Sequence, residues 1–503
     1  MVTEMSRKAS DPEIIILGSG LGGLIAGTLL SRRNHSVLLL KERDYQRSYT
    51  EKGYRFIPFS SLSEKRLKRA FLQRLSQALN LSLASEWQEG VDSTLREERP
   101  RRKDLDVRKQ KVAFQVILPG GRIDLCSQES QFQREWSREF PKEVIQIKKF
   151  YEEMEDLRQL LIRMKAKEGP WSFFPLRPRS LLNRWLPFKR LQQERIDERL
   201  SPLSREFRQF IRLQLLAWGN LFSEKLPIAL AAYDLFPNEE LNELIPSVDL
   251  EKLEEKILKE FLKTGGRVEE IDRMERVSRE RRKGFIISLE GDQRVFRSKL
   301  LVLNLPLHRS LKLMDGGKRR LSRWGKRIRP LYVLIPFFLG IHENVIPVGM
   351  RDLLISISNL EKPYHTGNLL FLSISPKGHE SSAPGGRRAL TVESLVPLEE
   401  WDQTSLSEHQ KAVMKHLELL FPFLENYIDF SNFSWAREQV PHWSYPHFLF
   451  EITSKFRWRE GIVPIRMSRN LYFVGKENFP YLGLEGEVFS GLMVAEQILQ
   501  KYR

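Results

Sequence analysis

The sequence predicts an α/β protein organised around a nucleotide-binding βαβ unit, and three observations carry that prediction. The first is the order of elements in residues 14–42: an apolar run, Ile14–Leu17, a glycine cluster, a helical stretch and a second apolar run, Val37–Leu40. The second is the cluster itself, Gly18-Ser19-Gly20-Leu21-Gly22-Gly23, which contains G-x-G-x-x-G. The third is an acid, Glu42, 19 residues beyond Gly23 at the tip of the second run.

Each position has a physical task in this reading. Gly18 makes the tight strand-to-helix turn, Gly20 lets a diphosphate approach bare backbone, and Gly23 lets the helix lie close on the sheet. The N–H groups and dipole at the start of the helix hold the anion. Glu42 can accept hydrogen bonds from both ribose hydroxyls and would repel a 2′-phosphate. The alternative is a glycine-rich turn without a ligand. Residues 14–42 alone leave FAD and NAD both open.

The 503 residues are enough for a large core and two or more domains. A composition of 41% hydrophobic and 29% charged residues fits a soluble globular class, whereas the net charge of +17 favours anionic partners. No zinc-finger spacing or RNP-like strand is present, so nucleic acid is not expected and an anionic membrane surface is the better candidate. The single cysteine, Cys126, excludes an intramolecular disulfide and a cysteine-cluster metal site, and no metal is expected. The first residues carry no apolar h-region, and the longest apolar run, Leu331–Ile341, is too short to span a bilayer. The expected location is cytoplasmic, with peripheral contact to the inner face of a membrane.

Along the chain, residues 64–85 read as a basic helix, and Val112–Leu118 with Arg122–Leu125 as a hairpin turning at Pro119-Gly120-Gly121. Helical patterns dominate from Phe132 to Leu241, including Val144–Met164 and Pro202–Phe222. Asp249–Lys263 is a helix stopped by Gly265-Gly266. Short strands follow at Arg267–Ile271, Met274–Ser278, Gly284–Leu289, Val295–Ser298 and Leu300–Leu303. A β-rich stretch, Leu331–Val396, precedes a helix at Ser407–Leu420. Asn470–Gly475 is a last apolar strand, and a final helix places Val488, Leu492, Ala495 and Leu499 on one face.

The start, Ile14–Glu42, and the run NLYFVGKENFPYLGLEGEVFSGLMVAEQIL at the other end together resemble the two-dinucleotide-binding-domain flavoproteins. The nearest group is the phytoene desaturase, carotenoid isomerase and retinol saturase branch of the amine-oxidase superfamily. The resemblance implies FAD. It puts Gly475 near the cofactor diphosphate or ribityl chain, and turns the helix start at Glu485, Gly486 and Val488 toward the flavin pyrimidine. It also puts Met274 at the adenine and makes Arg43, beside Glu42, part of the cofactor site. Ile57, Phe59, Ser60 and Pro480-Tyr481 depart from the family's D-x-G-P and P-G positions, where small residues admit the diphosphate and isoalloxazine.

No catalytic acid or base is identified. His308 follows Pro306, and His442 and His447 flank Trp443 and Tyr445; with Trp435 and Phe448 these aromatics line a tunnel or pack a core. Trp171–Arg190 mixes Trp and Phe with Arg and Lys, the composition of an interfacial anchor or of a helical cap with a basic rim. The predicted fold is therefore a discontinuous Rossmann-like FAD-binding domain, residues 1–75, 241–310 and 466–503, with an inserted mixed α+β substrate domain, residues 76–240 and 311–465. The expected function is an FAD-dependent oxidoreductase acting on a hydrophobic isoprenoid, carotenoid-like or lipid substrate. The rivals are an amine-oxidase-type enzyme and a non-redox binding or assembly protein that keeps the nucleotide fold.

Overall fold

A computed structural model describes residues 11–43, 48–57, 66–81, 112–126, 128–166, 194–219, 221–222, 226–235, 244–246, 250–280, 284–314, 324–378, 380–401, 405–435, 448–452 and 462–501. Ile14–Leu17 and Leu300–Leu303 are aliphatic throughout, and every residue in them is buried. Strands of that kind belong where both faces of a sheet are covered. They pair in parallel, Ile14 beside Leu300 and Leu17 beside Leu303. Val37–Glu42 and then Arg267–Ile271 extend the sheet on one side, and Leu471–Phe473 extends it on the other, all in parallel. Arg466–Ser468 closes that edge antiparallel and completes six strands.

From Ile14–Leu17 the chain moves to one side, into Val37–Glu42, and comes back much later on the other side at Leu300–Leu303. The strand order reverses there, and the carboxyl ends at Leu17, Glu42 and Leu303 flank the switch point, where doubly wound sheets form a crevice that binds ligands. The predicted discontinuous Rossmann-like α/β architecture is the one observed.

The first helix, Leu21–Ser31, is apolar on almost every side because it is covered on almost every side. Leu250–Lys263 packs against it, with Phe261 meeting Gly27, and the final helix, Gly483–Lys501, crosses it. At that crossing a Cβ on Gly491 would stand 2.2 Å from the carbonyl oxygen of Gly22. The two backbones touch directly. The buried stripe of the final helix runs through Val488, Gly491, Val494, Ala495 and Ile498, whereas Leu492 and Leu499 are only partly buried. The sequence pattern places the stripe about a residue off because a glycine, which carries no apolar signal, sits at its centre.

Met274–Glu280, Gly284–Leu289 and Asp292–Ser298 form a separate antiparallel sheet. The inserted region contains an eight-stranded sheet in which the long strand Ile328–His342 pairs with Arg387–Pro397, Ile428–Asn432 and Phe448–Ile452. The hairpin Val112–Leu118 and Gly121–Cys126 joins its far edge through Leu353–Ile357. A layer of helices, including Glu129–Glu139, Val144–Ala166 and Arg205–Trp218, is knitted together by Phe132, Phe140, Phe150, Tyr151, Phe207 and Phe210. The basic helix expected from residue 64 begins later, at Arg69. Arg66–Lys68 is instead a strand paired with Leu244–Pro246, a tertiary pairing that overrides local helix propensity. Among the described residues no helix is long and apolar enough to cross a membrane.

Filling the helix crossing should be severe. Gly491→Val should lower the unfolding free energy by about 3 kcal/mol or more, as overpacking against backbone does. Gly385→Ala, which meets nothing within 4 Å, should leave it unchanged. Equal urea midpoints for the two variants would show that the crossing is not a close backbone contact.

Candidate nucleotide site

The crevice is lined by the glycine turn, the residues that follow Leu303, and the loop and helix that follow Phe473. Gly18 turns the chain from strand to helix with a positive φ of 100°, and its N–H donates to Leu40 O at 2.9 Å, carrying the ladder with the neighbouring strand one residue past Leu17. Ser19 is buried, and Leu21 is a core residue. Gly20 caps the first helix without any side-chain bond, and no acidic residue occupies that helix's first turn. A helix N-terminus left in this way awaits an anion from elsewhere.

That anion is a side chain of the final helix. Glu487 Oε1 accepts the Gly22 N–H at 3.2 Å, and it lies 2.6 Å from where a Cβ on Gly20 would be. Asn304, directly after Leu300–Leu303, fills the neighbouring space, with Oδ1 2.3 Å from a Cβ placed on Gly23. Asn304 is itself held by its N–H to Leu17 O at 2.8 Å and by Nδ2 to Val474 O at 3.1 Å. Glycine at 22 and 23 is thus required by the chain's own packing. At Gly20 the space goes to two polar side chains.

Glu42 is buried at the tip of its strand. Its Oε1 accepts the Met274 N–H at 3.0 Å and Arg309 Nη2 at 2.5 Å. Met274 contributes through its backbone, since its side chain is in the core. Arg309 Nη1 is buried and, among the described residues, has no hydrogen-bond partner. Arg43 lies at the surface, bound to Asp272 at 2.8 Å.

Gly475 donates its N–H to Asn478 Oδ1 at 2.9 Å. Two residues on, Glu477 Oε1 accepts the Leu307 N–H at 2.8 Å. Burial pushes the Glu477 carboxyl up to about 7; the Leu307 bond pulls against that and the nearby Glu487 charge adds to it. In the first turns of the final helix, Glu485 is partly buried and Val488 is in the core. Gly486 is crowded by its own preceding turn, with Phe479 O 2.4 Å from where a Cβ on Gly486 would stand.

The other end of this loop reaches a narrow apolar pocket. Tyr481 lines it with Leu215, Leu216, Phe222, Leu226 and Tyr364, and Arg212 pairs with Asp197 at 3.0 Å on its wall. At Gly219, which ends a helix of this layer, a Cβ would stand 3.2 Å from Tyr481 Cα. His308 is packed edge-on to Phe448, and burial, with Lys312 and Arg309 beside it, lowers its pKa to about 4. Trp435 is core, tilted against Tyr49 and edge-on to Phe338. Ile57 follows the short hairpin Tyr49–Glu51 and Tyr54–Phe56, which this cluster anchors to the large sheet. Phe59, Ser60, Trp171–Arg190, His442, Trp443, Tyr445 and His447 lie outside the described residues.

Asn304, Arg309, Glu477 and Glu487 are not evident from the sequence as site residues. Asn304 and Arg309 carry a usable signal, because they follow a buried strand at the end where such sheets bind ligands. Glu487 stands between Gly486 and Val488, both expected at the cofactor, but nothing local shows that its side chain crosses to the other end of the chain.

No protein-family model matches the chain. Over 239 residues it is 26% identical to the chloroplastic prolycopene isomerase of Arabidopsis thaliana, a match that takes in 41% of this chain and 38% of that protein. The chain is similar to the carotenoid-isomerase branch. Among solved structures, cyclohexylamine oxidase from Brevibacterium oxydans superposes with a TM-score of 0.59 at 13% identity, covering 98% of this chain and 99% of that one. RAB GDI from Plasmodium falciparum superposes with a TM-score of 0.52 at 12% identity, covering 97% and 98%. At these identities the superpositions show a shared fold: a Rossmann-type parallel sheet carrying an inserted α+β region.

The Glu477 carboxyl makes stability depend on pH in a definite direction. Its ordinary value is 4.5 and its folded value about 7, so between the two the folded chain keeps a proton that the unfolded chain has lost. Stability therefore falls as pH rises through this window, and the full penalty, about 3 kcal/mol, is present above it. Glu477→Gln, which cannot ionise, should gain about 2–3 kcal/mol over the wild type at pH 8 and much less at pH 5 by urea unfolding. A gain of the same size at both values would show that the carboxyl is not held protonated.

Proposed function

We propose that this chain is an FAD-dependent oxidoreductase acting on a hydrophobic, isoprenoid- or carotenoid-like or lipid substrate. One observation carries the reading: a single loop, residues 475–482, bonds into the nucleotide crevice through Glu477 and lines an apolar pocket through Tyr481. A cofactor seated in the crevice would face substrate across that loop. The apolar lining favours a hydrocarbon over a cation, as does the similarity to a prolycopene isomerase.

The residues fit the adenosine half of the cofactor. Glu42 stands where a ribose would be held, the Met274 backbone lies beside it, and Arg309 brings a buried guanidinium with Nη1 available to a ligand oxygen. The turn at Gly20 and Gly22 would hold the diphosphate once Glu487 swings away. Bound there, the flavin supplies the two-electron acceptor or donor that the hydrocarbon chemistry needs. The protein's part is to orient the cofactor, keep the pocket dry and exclude polar substrates.

A non-redox binding role is the second reading. It is favoured by the Glu487 carboxylate at the glycine turn, and a RAB GDI shares the fold.

Purified protein should show flavin absorption bands, or acquire them on adding FAD, and Gly20→Val should abolish them by filling the turn. Under anaerobic conditions an isoprenoid or polyene should bleach the bound flavin. Bleaching by a primary amine alone would transfer the reading to an amine oxidase, and failure of the protein to take up FAD would support the non-redox role.

We also place Trp171–Arg190 at an anionic membrane surface, on the strength of its Trp, Phe, Arg and Lys content and the net charge of +17. Liposome flotation should rise with anionic lipid and fall with salt. Equal recovery without anionic lipid would rule the anchor out.

A further inference from the structure

Buried acids are scarce in proteins unless paired with a cation, so a carboxylate inside an anion site needs an account. Glu487 is buried, and its bond partner is the N–H of Gly22, in the first turn of a helix that has no capping side chain of its own. It comes from the opposite end of the chain, 465 residues away. Its backbone carbonyl is fixed by Ser490 Oγ at 2.7 Å, so the side chain is delivered from a rigid point. The crevice around it holds Glu477 and Asn304, while the guanidinium of Arg309 is paired with Glu42.

We propose that the Glu487 carboxylate is an internal stand-in for the cofactor diphosphate: it occupies the Gly20–Gly22 turn, satisfies its N–H, and must be displaced before a dinucleotide can seat. This rests on the reading of the crevice as an FAD site. The physics is competition between anions for one set of donors. The helix N-terminus stabilises either anion, but the two cannot share it, because like charges a few ångströms apart in a crevice of low dielectric repel. The intramolecular anion is present at high effective concentration, so the cofactor's affinity is lowered by the full free energy of the Glu487 contact. The closed arrangement also accounts for the fit of the adenosine half beside a blocked diphosphate turn.

The test is equilibrium binding of FAD to the full chain, followed by flavin fluorescence and equilibrium dialysis at constant salt. The wild type is compared with Glu487→Ala and Glu487→Gln, and circular dichroism serves as a folding control. Glu487→Ala should bind FAD at least tenfold more tightly than the wild type. Glu487→Gln, which keeps the shape and loses the charge, should also gain affinity. Wild-type affinity equal to or greater than that of both variants would overturn the stand-in while leaving the FAD reading in place. Absence of FAD binding by all three folded proteins would overturn the FAD reading itself.

Discussion

The contact on which most of the molecule depends is backbone against backbone, where the final helix crosses the first at Gly491 and Gly22. Without a Cβ at either position the axes can approach until carbonyl and Cα touch. Three things follow from that closeness. The last strand, Leu471–Phe473, is drawn into register beside Leu300–Leu303. The start of the final helix is brought over the glycine turn. The Glu487 side chain, one turn before Gly491, then reaches the N–H of Gly22 in the first helix.

The crevice so formed differs in sign from the protein's exterior. The whole chain carries a net charge of +17, yet Glu42, Glu477 and Glu487 converge inside, with Arg309 as the cation paired among them. Each acid is handled differently. Glu42 is neutralised by a guanidinium and a backbone N–H, Glu487 meets a helix N-terminus, and burial pushes the Glu477 carboxyl up to about 7.

Much of the architecture is legible in the sequence because periodicity survives without tertiary information. The fully buried runs at Ile14–Leu17 and Leu300–Leu303, the Pro119-Gly120 hairpin turn and the helix ended by Gly265-Gly266 all appear where their patterns place them. The glycine turn and Glu42 are legible for the same reason: a βαβ unit writes its requirements into consecutive residues. What fails to show is long-range. Arg309 meets Glu42 across 267 positions, and Glu487 meets Gly22 across 465, so no window of sequence contains either pair. The strand at Arg66–Lys68 is hidden similarly, since its partner at Leu244–Pro246 alone makes it extended. Composition shows that such acids exist, and only packing shows what they face.

The pairing of Ile14–Leu17 with Leu300–Leu303, and of those with Leu471–Phe473, also sets an order of events during synthesis. A chain emerging from the ribosome exposes this apolar strand and helix long before the segments that cover them, Leu300–Leu303 and then Leu471–Phe473 with the final helix. At about 5–20 residues per second the interval is on the order of half a minute or longer, during which bare strand edges are open to other chains. The Rossmann-like sheet is therefore completed only after the intervening residues have been made, and the nascent protein's exposure to chaperones is set by the distance along the chain between its two glycine-bearing helices.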